Sequence, residues 1–206
     1  MIGGPHPYEH IPLAVGGYLV AAYLLVAHTL MLAKPEFCKE WLIKLPRHYN
    51  AGVYTLGLGM VWFWLLVAPD DMHGPFAFLG KLTMDIGEFN AVKPFLRIAV
   101  PVAYIGMVLY VREFLFVRGL GVVALMVAAP LLKAAYLEDP MTRLLIPVFA
   151  YVLLTKGLFW VGMPYTFRDA VTWATATESR WRIVAFVGLS YGVVVLVCTV
   201  LFWRGY

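Results

Sequence analysis

The chain has 206 residues, of which 62% are hydrophobic and only 14% charged, and its formal net charge is +4. A soluble domain of this length usually carries roughly a quarter charged residues, so the composition excludes a water-coated globule, and the long apolar runs point to lipid as the solvent. The 16 Lys and Arg are scattered among the connecting segments and form no basic tract, which argues against a nucleic-acid partner and makes them orientation signals instead.

The first residues include His6-Pro7-Tyr8-Glu9-His10, which matches the letters of the inverted zinc-protease pattern H-x-x-E-H. That pattern works on a helix, where two imidazoles four residues apart share one metal. Pro5, Pro7 and Pro12 surround it, so coincidence is the expected reading, with a weak outward-facing metal site completed by Asp70, Asp71 or His73 as the alternative. No catalytic residue or metal ligand is expected.

Six stretches are of spanning length, at residues 12–33, 51–68, 94–111, 119–136, 144–163 and 183–203. Backbone groups in lipid find no outside partner, and these stretches lack the alternation of barrel strands, so each is expected as a helix. The expected fold is an all-α integral membrane protein. Residues 1–206 form one domain, a bundle of about six transmembrane helices arranged as three hairpins, with short interfacial amphipathic helices in the loops. The first run is too long for a signal h-region and no Lys or Arg precedes it, so it is read as a span, not a cleaved leader.

The first span carries His28 and Thr29 five residues from its end. In the first loop, Phe37, Trp41 and Leu45 recur every four residues against Lys39, Glu40 and Lys44, the pattern of an amphipathic helix on a membrane surface. The second loop repeats it with Leu79, Leu82, Ile86 and Phe89 opposite Lys81, Asp85 and Glu88. Residues 165–180 repeat it more weakly, with Phe167, Val171 and Ala174 as the stripe. Arg112 to Arg118 form the short third loop, where Glu113 is a candidate counter-charge. Pro101, Pro130 and Pro147 fall within three successive spans and can kink them.

Lys133 lies close enough to its helix end to reach water, whereas Lys156 sits about 10 Å from the nearer end, where insertion of a lysine is costly. If the first and fifth spans are neighbours, His28, Thr155 and Lys156 line one polar patch. Gly188 and Gly192 make a small-xxx-small pair on the last span, a candidate helix-packing interface either inside the chain or with a partner. Trp62, Trp64, Trp160, Trp173, Trp181 and Trp203 fall near span ends, as interfacial anchors do.

Ten Lys and Arg fall on the side of the odd loops and six on the other. The positive-inside rule then places the odd loops in the cytoplasm and both termini on the non-cytoplasmic side. Cys38 and Cys198 lie on opposite sides in this topology, so no disulfide joins them. His28 and His48 are a poor fit for bis-histidine haem, Ser190 has no histidine near it, and no P-loop, G-x-S-x-G or Cys-x-x-Cys is present. The residues name no cofactor. The expected role is a non-catalytic membrane subunit that scaffolds, anchors or stabilises a larger membrane complex, its partners being other membrane subunits and lipids. The alternative is a small-solute transporter or its substrate-binding membrane component.

Overall fold

The computed structural model describes residues 11–69, 77–80 and 82–205, and among them every regular element is helical. Pro12, extended and unable to donate, sits just before α1 (Leu13–Ala33). Lys34 breaks the helical geometry and Pro35 opens α2 (Pro35–Lys44), where a missing N–H costs nothing. After a 3-10 turn at Leu45–Arg47, the His48 ring accepts from the Ala51 N–H at 3.2 Å and caps α3 (Tyr49–Leu66). A short α4 (Ala77–Gly80) and a 3-10 turn (Gly87–Val92) lead to α5 (Lys93–Tyr110). The remaining helices are α6 (Leu115–Ala134), α7 (Leu145–Gly162), α8 (Tyr165–Thr175) and α9 (Glu178–Phe202), the last capped by the Thr177 hydroxyl, which accepts from Arg180 N–H at 3.3 Å.

Five helical stretches are long and apolar enough to cross a membrane: Leu13–Ala33, Gly87–Tyr110, Leu115–Ala134, Met141–Gly162 and Glu178–Phe202. The sequence reading counted six. The second, α3, falls outside the five although it is 18 residues long, because Tyr49, Asn50, three glycines and two tryptophans dilute its apolar content.

Helix directions follow from the close contacts. Gly52, Leu56 and Gly59 of α3 meet Leu115–Phe116, Gly119 and Val122 of α6 in rising order, so these two helices run parallel. Gly17 of α1 meets Thr199 and Trp203, Leu24 and Leu25 meet Gly192, and His28 meets Gly188, so α1 and α9 are antiparallel. Gly121 of α6 faces Gly157 of α7, and a Cβ built on either would stand 2.8–2.9 Å from the other's carbonyl oxygen. Only glycine allows two backbones to cross that closely, which brings many weak dispersion contacts into range. The main packing therefore joins α1 with α9, α6 with α7, and α3 with both α6 and α5. It does not follow the three consecutive hairpins read from the sequence. Short loops place neighbouring ends together but do not dictate which faces pack, and here the glycine-bearing faces decide.

The resulting bundle buries small residues together with a few large ones and turns many other large apolar side chains outward. The core joins Ala21, Ala128, Ala150 and Val195 with Leu13, Ile146 and Trp203, all within 3% of full burial. Tyr23, Leu19, Phe95, Ile98, Val102, Leu158 and Val187 stand at least 55% exposed. So many large apolar side chains turned outward are what lipid permits and water does not, since dispersion and close backbone approach, not burial from water, hold helices together there. These helices define a multi-pass membrane protein.

Several other expectations are corrected. The second loop does not form the amphipathic helix expected over Leu79–Phe89, because the Asp85 carboxylate accepts from Gly87 N–H at 2.8 Å and from the Asn90 amide at 2.6 Å, while Gly87 takes φ +60. That local turn outcompetes helix propagation. Helix α6 begins at Leu115, earlier than expected, so Arg118 lies one turn inside it. Pro147 lies in the first turn of α7, where it removes no helical hydrogen bond, whereas Pro101 and Pro130 are interior. Trp181 and Trp203 are 2% and 0% exposed, so they are core residues and not lipid-facing anchors.

Candidate functional site

The ends of α1, α5 and α7 and the starts of α3, α6 and α9 converge at one end of the bundle, and α2 and α8 lie across it. Their inward residues make a second core of Leu45, Phe116, Val117 and Phe167, with Leu42, Trp160 and Val171 packed on it. Trp160 and Phe167 meet edge to face at 5.3 Å. Phe37 and Trp41 of α2 are 65% and 53% exposed, leaving an aromatic stripe on the outer face.

The candidate polar patch does not assemble. His28 turns towards α9: its Nδ1 lies 2.7 Å from the Leu24 carbonyl oxygen, and the opposite ring edge abuts Gly188. Thr155 donates to the Tyr151 carbonyl oxygen at 2.8 Å, and both Thr155 and Lys156 are exposed on α7. No hydrogen bond or ion pair joins His28, Thr155, Lys156 and Glu113 among the described residues. The candidate packing pair is placed on α1, Gly188 against His28 and Gly192 against Leu24 and Leu25. Both glycines thus serve a contact inside the chain.

The polar side chains of the bundle follow a different plan that sequence reasoning missed. The last four carbonyls of any helix lack an intrahelical partner, and here side chains from other helices supply donors. Trp181 Nε1 donates to Met31 O of α1 at 2.9 Å. Arg97 of α5 donates through Nε to Val67 O at 2.8 Å and through Nη2 to Ala68 O at 3.3 Å, closing the end of α3, where the Thr83 hydroxyl adds a bond to Ala68 O at 3.0 Å. Tyr49 donates to Val108 O of α5 at 3.1 Å, and Arg118 Nη1 donates to Val161 O of α7. Each guanidinium also sets its charge at the negative end of a helix dipole. The signal available in the sequence was an arginine one turn inside an apolar run, a position with no solvent-facing reason to be basic.

The convergent end also holds an open cleft. One cavity of about 690 Å³ is lined by Arg47, Tyr49, Arg112, Glu113 and Phe114. A second, of about 770 Å³, shares Arg112, Glu113 and Phe114 and adds Arg118, Tyr110 and Tyr165 among others. Arg118 Nε is buried without a hydrogen-bond partner, a defect that costs about 1–3 kcal/mol. Phe114, at φ 55, holds the left-handed conformation that costs a residue with a Cβ about 1–3 kcal/mol, and it offers α6 no side-chain cap. Between α2 and the start of α9, Lys39 bonds Glu178 at 2.9 Å and Glu36 at 3.0 Å and lies over the Trp181 ring. The hydrogen bonds that Lys39 donates to Glu178 and then to Glu36 raise its pKa above the ordinary value.

Among the described residues no group of three His, Cys, Asp or Glu is placed to hold a metal. His6, Glu9, His10, Asp70, Asp71 and His73 lie outside the described residues. Cys38 and Cys198 are both free. No known protein family, curated protein or solved structure matches the chain.

Proposed function

We propose that this chain is a non-catalytic multi-pass subunit that scaffolds or stabilises a larger membrane complex, with α3 as a sixth crossing and both termini on the non-cytoplasmic side. The observation that carries the reading is the commitment of Arg97, Arg118, Trp181 and Tyr49 to carbonyls at the ends of other helices. Polar groups so placed act first as caps on neighbouring helices, which favours a frame over a catalytic or transport constellation. The alternation of helix directions supports the sixth crossing, since α3 runs parallel to α6 and antiparallel to α5, as spans two and four and spans two and three should.

The Gly188 and Gly192 face of α9 is occupied by α1, and a continuous free apolar face lies on α5. Phe95, Ile98, Val102, Ile105 and Leu109 recur three and four residues apart, each at least 54% exposed, while the opposite side carries Arg97 and Tyr104 against α3. The small-solute carrier reading has less support, because His28, Thr155 and Lys156 do not converge. A photo-crosslinking residue at Ile98 or Val102, activated in the native membrane, tests the subunit reading. A discrete crosslinked polypeptide is expected from this face and not from Leu158 of α7, while adducts with lipid alone at every position would overturn it.

A further inference from the structure

We propose that the cleft between the start of α3 and the α5–α6 connection is a binding site for a phosphate ester, with Arg47 and Arg112 as its mobile cations and Arg118 as its fixed one. Three observations meet there independently of the subunit reading. Arg47, Arg112 and Arg118 line two adjoining cavities that share Arg112, Glu113 and Phe114, so three cations face one carboxylate. Arg47 and Arg112 are exposed and make no hydrogen bond or ion pair among the described residues, so their planar forks are free to take oxygen acceptors two at a time. Arg118 keeps one buried N–H unmet while its Nη1 holds the end of α7.

The backbone adds to the positive field. Phe114, turned into the left-handed region, starts the 20-residue α6 without a side-chain cap and lines both cavities, so the positive end of the helix dipole points towards the cleft. Tyr49, Tyr110 and Tyr165 line the rims, amphipathic side chains suited to the depth at which lipid phosphates lie. The recognised chemistry is the phosphate group, and a glycerophospholipid headgroup or a soluble phosphate would each supply it.

The test is native mass spectrometry of the purified full chain in mild detergent, titrated with dioleoyl-phosphatidylglycerol, with inorganic phosphate as competitor. Replacing Arg47→Gln and Arg112→Gln together is expected to weaken lipid binding at least about tenfold. Replacing Lys34→Gln and Lys44→Gln together removes the same charge from the same end outside the cleft, and is expected to change binding less than about twofold. Bound lipid that resists phosphate identifies the headgroup as the source, and displacement by phosphate identifies a soluble ester; both support the site. Glu113→Gln is expected to bind at least as tightly as the parent. Equal binding by both double variants and the parent, or a weakened Glu113→Gln, would overturn the proposal. Unchanged thermal midpoints of the Arg47→Gln, Arg112→Gln variant establish that a loss is not unfolding.

Discussion

Gly188→Ala gives the sharpest probe of the α1–α9 contact. A methyl group at this position would fall within the His28 ring, with three ring atoms inside contact distance, and the ring cannot simply rotate because Nδ1 is 2.7 Å from Leu24 O. Overpacking of a filled contact costs about 1–3 kcal/mol, and losing the His28 bond adds about 0.5–1.5 kcal/mol. The better helix propensity of alanine returns about 1 kcal/mol. The net expectation is a loss of about 1–3 kcal/mol, which for a chain of this size lowers a thermal midpoint by roughly 2–4 °C per kcal/mol. His28→Ala alone loses the bond and the ring packing. In the double variant the alanine methyl occupies space the ring has left, so the two effects sum to less than their separate costs by about 1–3 kcal/mol. The assay is thermal or SDS-induced unfolding of the parent, both single variants and the double in one detergent. Strict additivity, or a neutral Gly188→Ala, would refute the contact.

Other expectations follow from the capping and the ion pairs. Arg97→Met should destabilise the chain by about 1–3 kcal/mol, because it leaves the Val67 carbonyl without its side-chain donor and the Ala68 carbonyl with the Thr83 hydroxyl alone, and protease should then cut near the end of α3; Arg97→Lys should recover only part of the loss, since an ammonium lacks the two-pronged geometry. The raised Lys39 pKa means its contribution is complete below the ordinary lysine range and is lost as pH rises through the folded value, so the thermal midpoint should fall further in strong alkali for the parent than for Lys39→Met. Asp85 is shifted the other way, its pKa lowered first by the Asn90 amide, then by Gly87 N–H and by Lys93. Its contribution is present above the ordinary aspartate range and lost as pH falls through the folded value, so protection at Ile86–Gly87, taken relative to the intrinsic exchange rate at each pH, should fall in acid in the parent and stay level in Asp85→Asn. Single cysteines at Ile11 and Arg204, in a chain with Cys38 and Cys198 replaced by serine, should both react with an impermeant maleimide from the same side of the membrane; labelling from opposite sides would remove α3 from the crossings.

Where apolar character and local chemistry coincide, the sequence was readable. The bounds of α1, the amphipathic α2 and α8, and the small-residue face of Gly188 and Gly192 all follow from periodicity and composition within one element. What failed to show was relational. Arg118 reads as a loop charge until α7 is placed beside it and offers Val161 O, and only then does an arginine inside α6 make sense. Trp181 and Trp203 read as interfacial anchors because they lie near helix ends, yet their N–H groups reach Met31 O and the Thr142 hydroxyl, which draws the rings into the core. The hairpin expectation failed for a related reason: glycines on α6 select α3 and α7 as neighbours, and nothing in the length of a loop encodes that choice. The second loop failed because one Asp85 turn outweighs a weak amphipathic stripe.

The subunit reading stands on the association of this chain with others. The most direct measurement is native mass spectrometry of the protein extracted from its own membrane in mild detergent. Recovery bound to other polypeptides at a fixed ratio is the predicted result, and recovery alone or only as a homo-oligomer would contradict it.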